Sequence, residues 1–139
     1  DHIDKQIISI LKIKGRDSAS HIATEIGMSV PAVTDRIRKL QDARVITGFQ
    51  AIVDPRKIGL DVSAILTILS ESSSHYPEVV EFAKNTDEVI QCFTTTGNGS
   101  HVLVVQTENT LSLEKLLRKV QAWPGVIRTE TQIILSNYK

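Results

Sequence analysis

A single cysteine, Cys92, is present in the whole chain, so no intramolecular disulfide can form and no zinc site can be assembled on paired cysteines. A reducing, cytoplasmic setting is expected. No run approaches the ~18 apolar residues of a membrane span, and the opening residues Asp1-His2-Ile3-Asp4 have no signal-peptide pattern, so no membrane partner is expected. The formal glycosylation tripeptide Asn98-Gly99-Ser100 therefore reads as a turn. Clustered catalytic chemistry is also missing. The four histidines (His2, His21, His75, His101) are scattered, with no short metal spacing to another His or to Cys92. Catalytic residues, metal and cofactor are each expected to be none. Finally, there is no excess of either charge: 16 Lys and Arg balance 16 Asp and Glu. Taken whole, that zero argues against a nucleic-acid binder, for which positive charge would be expected.

What is present qualifies the last point. A chain of 139 residues makes one domain or two small ones, and 41% hydrophobic against 23% charged residues supports a real core. The charge is divided. Residues 1–50 carry Lys5, Lys12, Lys14, Arg16, Arg36, Arg38, Lys39 and Arg44 against six acids, a net of +2, whereas residues 62–139 carry six bases against eight acids.

The hydrophobic period divides at the same place. Up to about residue 44 it is helical: Ile3, Ile7, Ile10 and Leu11 form one face, Ile22, Ala23 and Ile26 a second, and Val33, Ile37 and Leu40 a third. Breaks at Gly15-Arg16-Asp17 and Gly27-Met28 are followed by the N-cap candidates Ser18 and Ser29, and Pro31 suits a first helical turn. Three short helices are predicted. Beyond them Val45-Ile46 and Phe49–Val53 read as short strands, a small wing or a tether. Val62–Leu69, Val89–Thr96, His101–Thr107 and Val126–Leu135 read as strands. Pro77–Lys84 and the stripe Leu113, Leu116, Leu117, Val120 read as helices. The order β-α-β-β-α-β implies a four-stranded antiparallel sheet covered on one face by two helices. Ile65, Leu66, Val104 and Ile134, or their alternating neighbours, are the expected association surface on its other face.

The second and third helical segments match a helix-turn-helix. Close crossing requires a small residue on the first helix, a left-handed residue in the turn and a branched apolar residue on the second, and Ala23, Gly27 and Val33 stand at those offsets. With Val33, Ile37 and Leu40 inward, Pro31, Asp35, Arg38 and Asp42 turn outward, and Ala32, Thr34, Arg36 and Lys39 lie on the flanks. Such a helix enters the major groove by its N-terminal end, so Pro31, Ala32, Thr34, Asp35 and Arg38 are the candidates for base edges. Ser29, Arg36 and Lys39 are the candidates for phosphates. Arg36 also suits an internal salt bridge with Asp35 or Asp42, and Arg and Lys late in a helix are ordinary complements of its dipole.

Together these stretches resemble the Lrp/AsnC family of bacterial and archaeal transcription regulators. The resemblance is carried by Gly15-Arg16-Asp17-Ser18, Gly27 to Ile37 and Val45-Ile46-Thr47-Gly48-Phe49 in the first part. In the second it is carried by Thr96-Gly97, Pro124-Gly125-Val126 and Thr129-Glu130-Thr131. It implies an α+β protein: a three-helix, winged-helix-like helix-turn-helix domain over residues 1–50, a linker over 51–61, and a ferredoxin-like βαββαβ domain over 62–139 for effector binding and oligomerisation. The implied partners are double-stranded DNA, a small-molecule effector such as an amino acid, and copies of the chain itself, as a dimer and beyond it an octamer or similar ring. The hairpin Gly97, Asn98, Gly99, Ser100, His101 maps onto the effector loop, with Thr131 and Gln132 completing the pocket. Exposed glycine N–H groups suit a carboxylate, although Asn-Gly is also a plain turn signal. Where the family places an acidic residue after the second loop position, Ser100 or His101 stands here. Gly97-x-Gly99 is not a dinucleotide fingerprint, because a strand follows it. Two alternatives share the pattern: a sirohaem-decarboxylase-like enzyme on the same fold, and a low-specificity architectural protein that wraps DNA.

Overall fold

The computed structural model describes residues 1–139. The chain forms two compact units, Asp1–Ile52 and Val53–Lys139.

The first unit contains helices α1 (His2–Ile13), α2 (Ala19–Ile26) and α3 (Val30–Asp42). Each begins on a side-chain cap that satisfies an otherwise free N–H: Asp1 accepts from Asp4, Ser18 from His21, and Ser29 from Ala32. Gly27 closes α2 in the left-handed region, at φ 70°. The three apolar faces meet in a core of Ile7, Ile22, Ala23, Val33 and Leu40, with Ile3, Ile10, Leu11, Ile26 and Ile37 packed around it. Ala23 supplies the small contact between α2 and α3, and Val33 the branched one, as the sequence pattern requires.

The strands expected at Val45-Ile46 and Phe49–Val53 do not form. The N–H groups of Val45 and Ile46 both donate to the carbonyl of Leu40, and Arg44 sits at φ 59° with its N–H on the carbonyl of Gln41. The residues thus close the C-terminus of α3 in a Schellman motif, with arginine in the position that glycine usually takes. No strand of the same chain pairs with the residues that follow; Ile52 is almost fully exposed and Phe49 about half.

The second unit runs β1 (Val62–Ser70), α4 (Tyr76–Lys84), β2 (Val89–Thr94), β3 (His101–Thr107), α5 (Thr110–Gln121) and β4 (Val126–Ile134). Ahead of β1, Pro55–Ile58 form a short 3-10 turn capped by Asp54. The sheet order is β2-β3-β1-β4, antiparallel throughout, which is the ferredoxin-like arrangement of a βαββαβ chain. Alternate residues of β1 and β3 face the helices. Ala64, Leu66, Ile68, Leu103 and Val105 are buried there against Val79, Ala83, Leu113, Leu116, Val120 and Trp123. Leu66 therefore belongs to the helix-covered core and not to the association surface on which it was expected. Ile65, Val104 and Ile134 do lie on the open face, because Ile65 pairs with Val104 and Ser63 with Ile134. Phe93 of β2, opposite Val102, joins them and is about half exposed.

Candidate DNA-contacting helix and effector hairpin

Burying Val33 and Leu40 fixes the rotation of α3. Pro31, Thr34, Arg38 and Lys39 are exposed, while Ala32, Asp35 and Arg36 are half-buried. Ser29 Oγ accepts from the Ala32 N–H at 3.2 Å, so its hydroxyl already serves the helix while keeping its own proton for another acceptor. The cations of the helix are engaged. Asp35 is shared: Arg38 Nη2 donates to its Oδ1 and Lys39 Nζ lies 3.0 Å from its Oδ2. Arg38 Nη1 reaches Asp42 at 3.4 Å. The Lys39 ammonium and then the Arg38 guanidinium hold the Asp35 carboxyl below its ordinary value, and Asp35 in turn raises Arg38.

Arg36 behaves differently from either expectation. Its guanidinium turns toward α1, where Nη1 meets Asp1 at 3.0 Å and Asp4 at 3.2 Å, and its side chain is 30% exposed. The structure gives it an internal bridge, but to the first helix and not to Asp35 or Asp42. Sequence reasoning looked for partners one turn away on the same helix. Asp1 and Asp4 become visible only when α1 is packed against α3. His21 on α2 also gained partners. Nδ1 lies 2.9 Å from Asp17 and Nε2 3.3 Å from Glu25. The hydrogen bond to Asp17, with the charges of Asp17 and Glu25, raises its pKa. The spacing of four on either side was the available signal.

In the second unit the hairpin between β2 and β3 has three parts with different surroundings. Gly97, at φ 100°, and Asn98 form an exposed tip. Gly99 is seated on β1: a Cβ there would stand 2.3 Å from Thr67 Cγ2 and 3.3 Å from the Ile68 carbonyl. Ser100 and His101 point inward. The Ser100 N–H donates to the Ile68 carbonyl at 2.9 Å. Its Oγ is 2.8 Å from Ser70 Oγ and 2.6 Å from His101 Nδ1. His101 is fully buried, with the Tyr76 ring edge-on at 4.8 Å and Nε2 without a partner. Burial pushes its imidazole pKa down. The expectation that Ser100 and His101 face an effector at the loop is thus corrected, because both side chains anchor the hairpin from beneath. His101 opens β3 in the same phase as Leu103 and Val105, and that phase points to the helices.

Thr131 and Gln132 are likewise separated. Gln132 pairs with Ile65 on the open face and Thr131 with Leu66 on the helix face, so the two cannot complete one pocket on one side of the sheet. The open face also carries Glu130, opposite Thr67 and held by Arg128 at 3.2 Å, an acid near the hairpin's seat that sequence reasoning did not assign to the site.

Comparison with known proteins covers nearly the whole chain. The family model described as the AsnC-type helix-turn-helix domain matches residues 1–41, and that of the Lrp/AsnC ligand binding domain matches residues 63–139. The HTH-type transcriptional regulator FL11 of Pyrococcus horikoshii is 32% identical over 139 residues, covering 100% of this chain and 91% of its own. The regulatory protein AsnC of Escherichia coli is 30% identical over 138 residues, covering 99% and 91%. Among solved structures, a feast or famine regulatory protein from M. tuberculosis, complexed with L-methionine, superposes with a TM-score of 0.89 at 32% identity, covering 100% of this chain and 94% of that one.

Proposed function

The chain belongs to the Lrp/AsnC family of transcriptional regulators, and from that premise we propose that it reads duplex DNA through α3, as a homo-oligomer whose DNA binding responds to a small-molecule effector. The observation that carries the reading is the mounting of α3. Gly27 in its left-handed turn and Val33 and Leu40 in the core leave Pro31, Thr34, Arg38 and Lys39 outward. Pro31, Ala32, Thr34 and Arg38 then meet base edges, while Ser29, Lys39 and the first N–H groups of the helix meet phosphates. Arg36 acts as a brace between α1 and α3.

A first unit with a net charge near +2 binds DNA weakly by itself. Association through the open sheet face around Ile65, Phe93, Val104 and Ile134 links several such units, and linkage raises overall affinity by ~10²–10⁴ when both half-sites can be engaged. A two-fold dimer goes with pseudo-palindromic sites, and dimers assembled into an octamer or similar ring extend the same logic. The exposed apolar side chains of Phe49, Ile52 and Val53 need cover that such an assembly also offers.

The effector is an amino acid or a related metabolite. The relative complexed with L-methionine supports that class. Here the contacts come from the hairpin tip at Gly97 and Asn98, the backbone of Gly99, and Gln132 on the same face as Thr67. Ser100 and His101 hold the loop from below. A cytoplasmic setting and the absence of catalysis go with this role, since the relatives carry the names of regulators.

Selection of duplexes from a random pool by the full chain, followed by anisotropy titration with and without each amino acid, tests the reading. A recovered motif with affinity at least ~10³ above random duplex is expected. Equal affinity for both would replace it with the architectural alternative. A visible absorption band on adding a tetrapyrrole, without DNA binding, would replace it with the enzyme.

A further inference from the structure

The pairing of charge along α3 points to a role for one residue beyond reading a base. Every cation on the outward side of the helix is tied to a carboxylate of the same helix. Arg38 is held by Asp35 and by Asp42 at 3.4 Å, and Lys39 by Asp35 at 3.0 Å. Asp35 is the only group bound to both. It lies one turn beyond the N-terminal turn of α3, between the positions that would face base edges and those that would face phosphate, and it is half-buried among these side chains.

We propose that Asp35 is a specificity-determining residue that suppresses binding to DNA at large: it occupies Arg38 and Lys39 and sets its own negative charge toward the phosphate backbone. The inference rests on the reading of α3 given above. Its physical basis is a difference between the two kinds of DNA contact. On random duplex a cation gains little more than the release of counterions from one phosphate. To obtain it, Arg38 or Lys39 must abandon a carboxylate already in place, so the net gain is small. On a matching site Arg38 leaves Asp35 for a bidentate contact with a base edge, which random sequence does not offer at the same position. The carboxylate then lowers non-specific affinity more than specific affinity, and discrimination rises. The neutrality of the outward helix face, in a unit of otherwise positive balance, is the visible trace of that arrangement.

The test uses the full chain, a random-sequence 30-base-pair duplex and the duplex recovered by selection with the unmodified protein. Removing Asp35 releases Lys39 completely, whereas Arg38 still has Asp42. Asp35→Asn is therefore expected to steepen the logarithmic salt dependence of random-duplex binding by about one unit for each engaged helix-turn-helix unit, and Asp35→Asn/Asp42→Asn by about two. One added phosphate contact corresponds to roughly threefold greater loss of affinity between 50 and 200 mM salt, from a slope of about 0.9 per contact. The ratio of selected to random affinity falls. Glu114→Gln, which removes one exposed acid from α5 in the second unit, carries the same change of net charge and leaves the slope as it was. Circular dichroism confirms that helix content is retained in each variant.

An unchanged slope in Asp35→Asn overturns the inference, as does an equal rise in Glu114→Gln, which would make net charge the cause. Selected-site affinity that falls while random-duplex affinity stays constant also overturns it, since Asp35 would then be a base-reading group alone. An unmodified chain that shows no salt-dependent DNA binding removes the reading of α3 itself, and that outcome is distinct from the other three.

Discussion

Replacing Gly99 with alanine places a methyl group in space that Thr67 already fills. The substitution meets no conformational barrier, because Gly99 is outside the left-handed region that Gly27, Gly59, Gly97 and Gly125 occupy. Its cost is steric. The new Cβ would stand 2.3 Å from Thr67 Cγ2, where ordinary van der Waals contact begins near 3.4 Å, and 3.3 Å from the Ile68 carbonyl. Thr67 cannot yield easily, since a β-branched side chain is stiff at χ1 and its strand is hydrogen-bonded on both sides, to β3 and β4. The loop must lift instead, and lifting strains the 2.9 Å bond from the Ser100 N–H to the Ile68 carbonyl. Overpacking of this kind costs about 1–3 kcal/mol. At ~4–8 °C per kcal/mol for a unit of this size, a fall in Tm of roughly 4–24 °C is expected. The assay is direct, because the single tryptophan, Trp123, is buried in the second unit and its fluorescence follows that unit alone. Thr67→Ala removes Cγ2, so Thr67→Ala/Gly99→Ala is expected to recover much of the loss, with a coupling of about 0.5–3 kcal/mol. A Gly99→Ala chain that melts as the unmodified one does, or a double variant with no recovery, would refute the seating of the hairpin on β1.

The remaining predictions concern pH and the two faces of the sheet. His21, raised above 6.5 by Asp17 and Glu25, binds its proton more tightly in the fold, so its contribution is complete below pH 6.5 and disappears as pH rises through the raised value. His101, lowered from 6.5 by burial, contributes above pH 6.5 and loses its contribution as pH falls through the lowered value. Urea titrations are therefore expected to show the second unit weakening, by Trp123 fluorescence, under the same acidification that favours the first, by the part of the helical ellipticity that does not follow the Trp123 transition. His21→Gln and His101→Gln should each flatten only their own unit's curve. Leu66→Ala, in the helix-covered core, is expected to cost about 2–5 kcal/mol. Ile65→Ala, its neighbour on the open face, should cost much less in folding and shift the sedimentation coefficient toward smaller species.

How much of this was legible in the sequence depends on whether the needed partner was near in the chain. Ala23, Gly27 and Val33 were readable because a helix-turn-helix is local: caps, a left-handed glycine and one period of 3.6 agree within fifteen or so residues. The βαββαβ order was readable for the same reason, since each strand or helix carries its own period. The direction of the strand Val62 to Ser70 was not. It is apolar on both faces, so Leu66 and Ile65 look equivalent until β3 and β4 fix which side the helices cover. His101 was hidden by the same uncertainty of phase. The strand reading of Val45 to Val53 fails because β-branched composition hides the C-terminal closure of α3, which spends the N–H groups of Val45 and Ile46 on Leu40. Arg36 found Asp1 and Asp4 across more than thirty residues, a pairing that no local spacing encodes.

The central claim is that α3 reads DNA, and equilibrium binding of the selected duplex by the unmodified chain and by Arg38→Ala tests it most directly, with sedimentation run on both. Arg38 lies on the exposed side of α3, outside both cores, so its removal is expected to leave the fold intact. The account predicts a loss of affinity of about 1–3 kcal/mol, five- to more than a hundredfold, and relaxed base preference at one position in each half-site, with the sedimentation profile unchanged. Undiminished affinity and undiminished base preference in Arg38→Ala would contradict it.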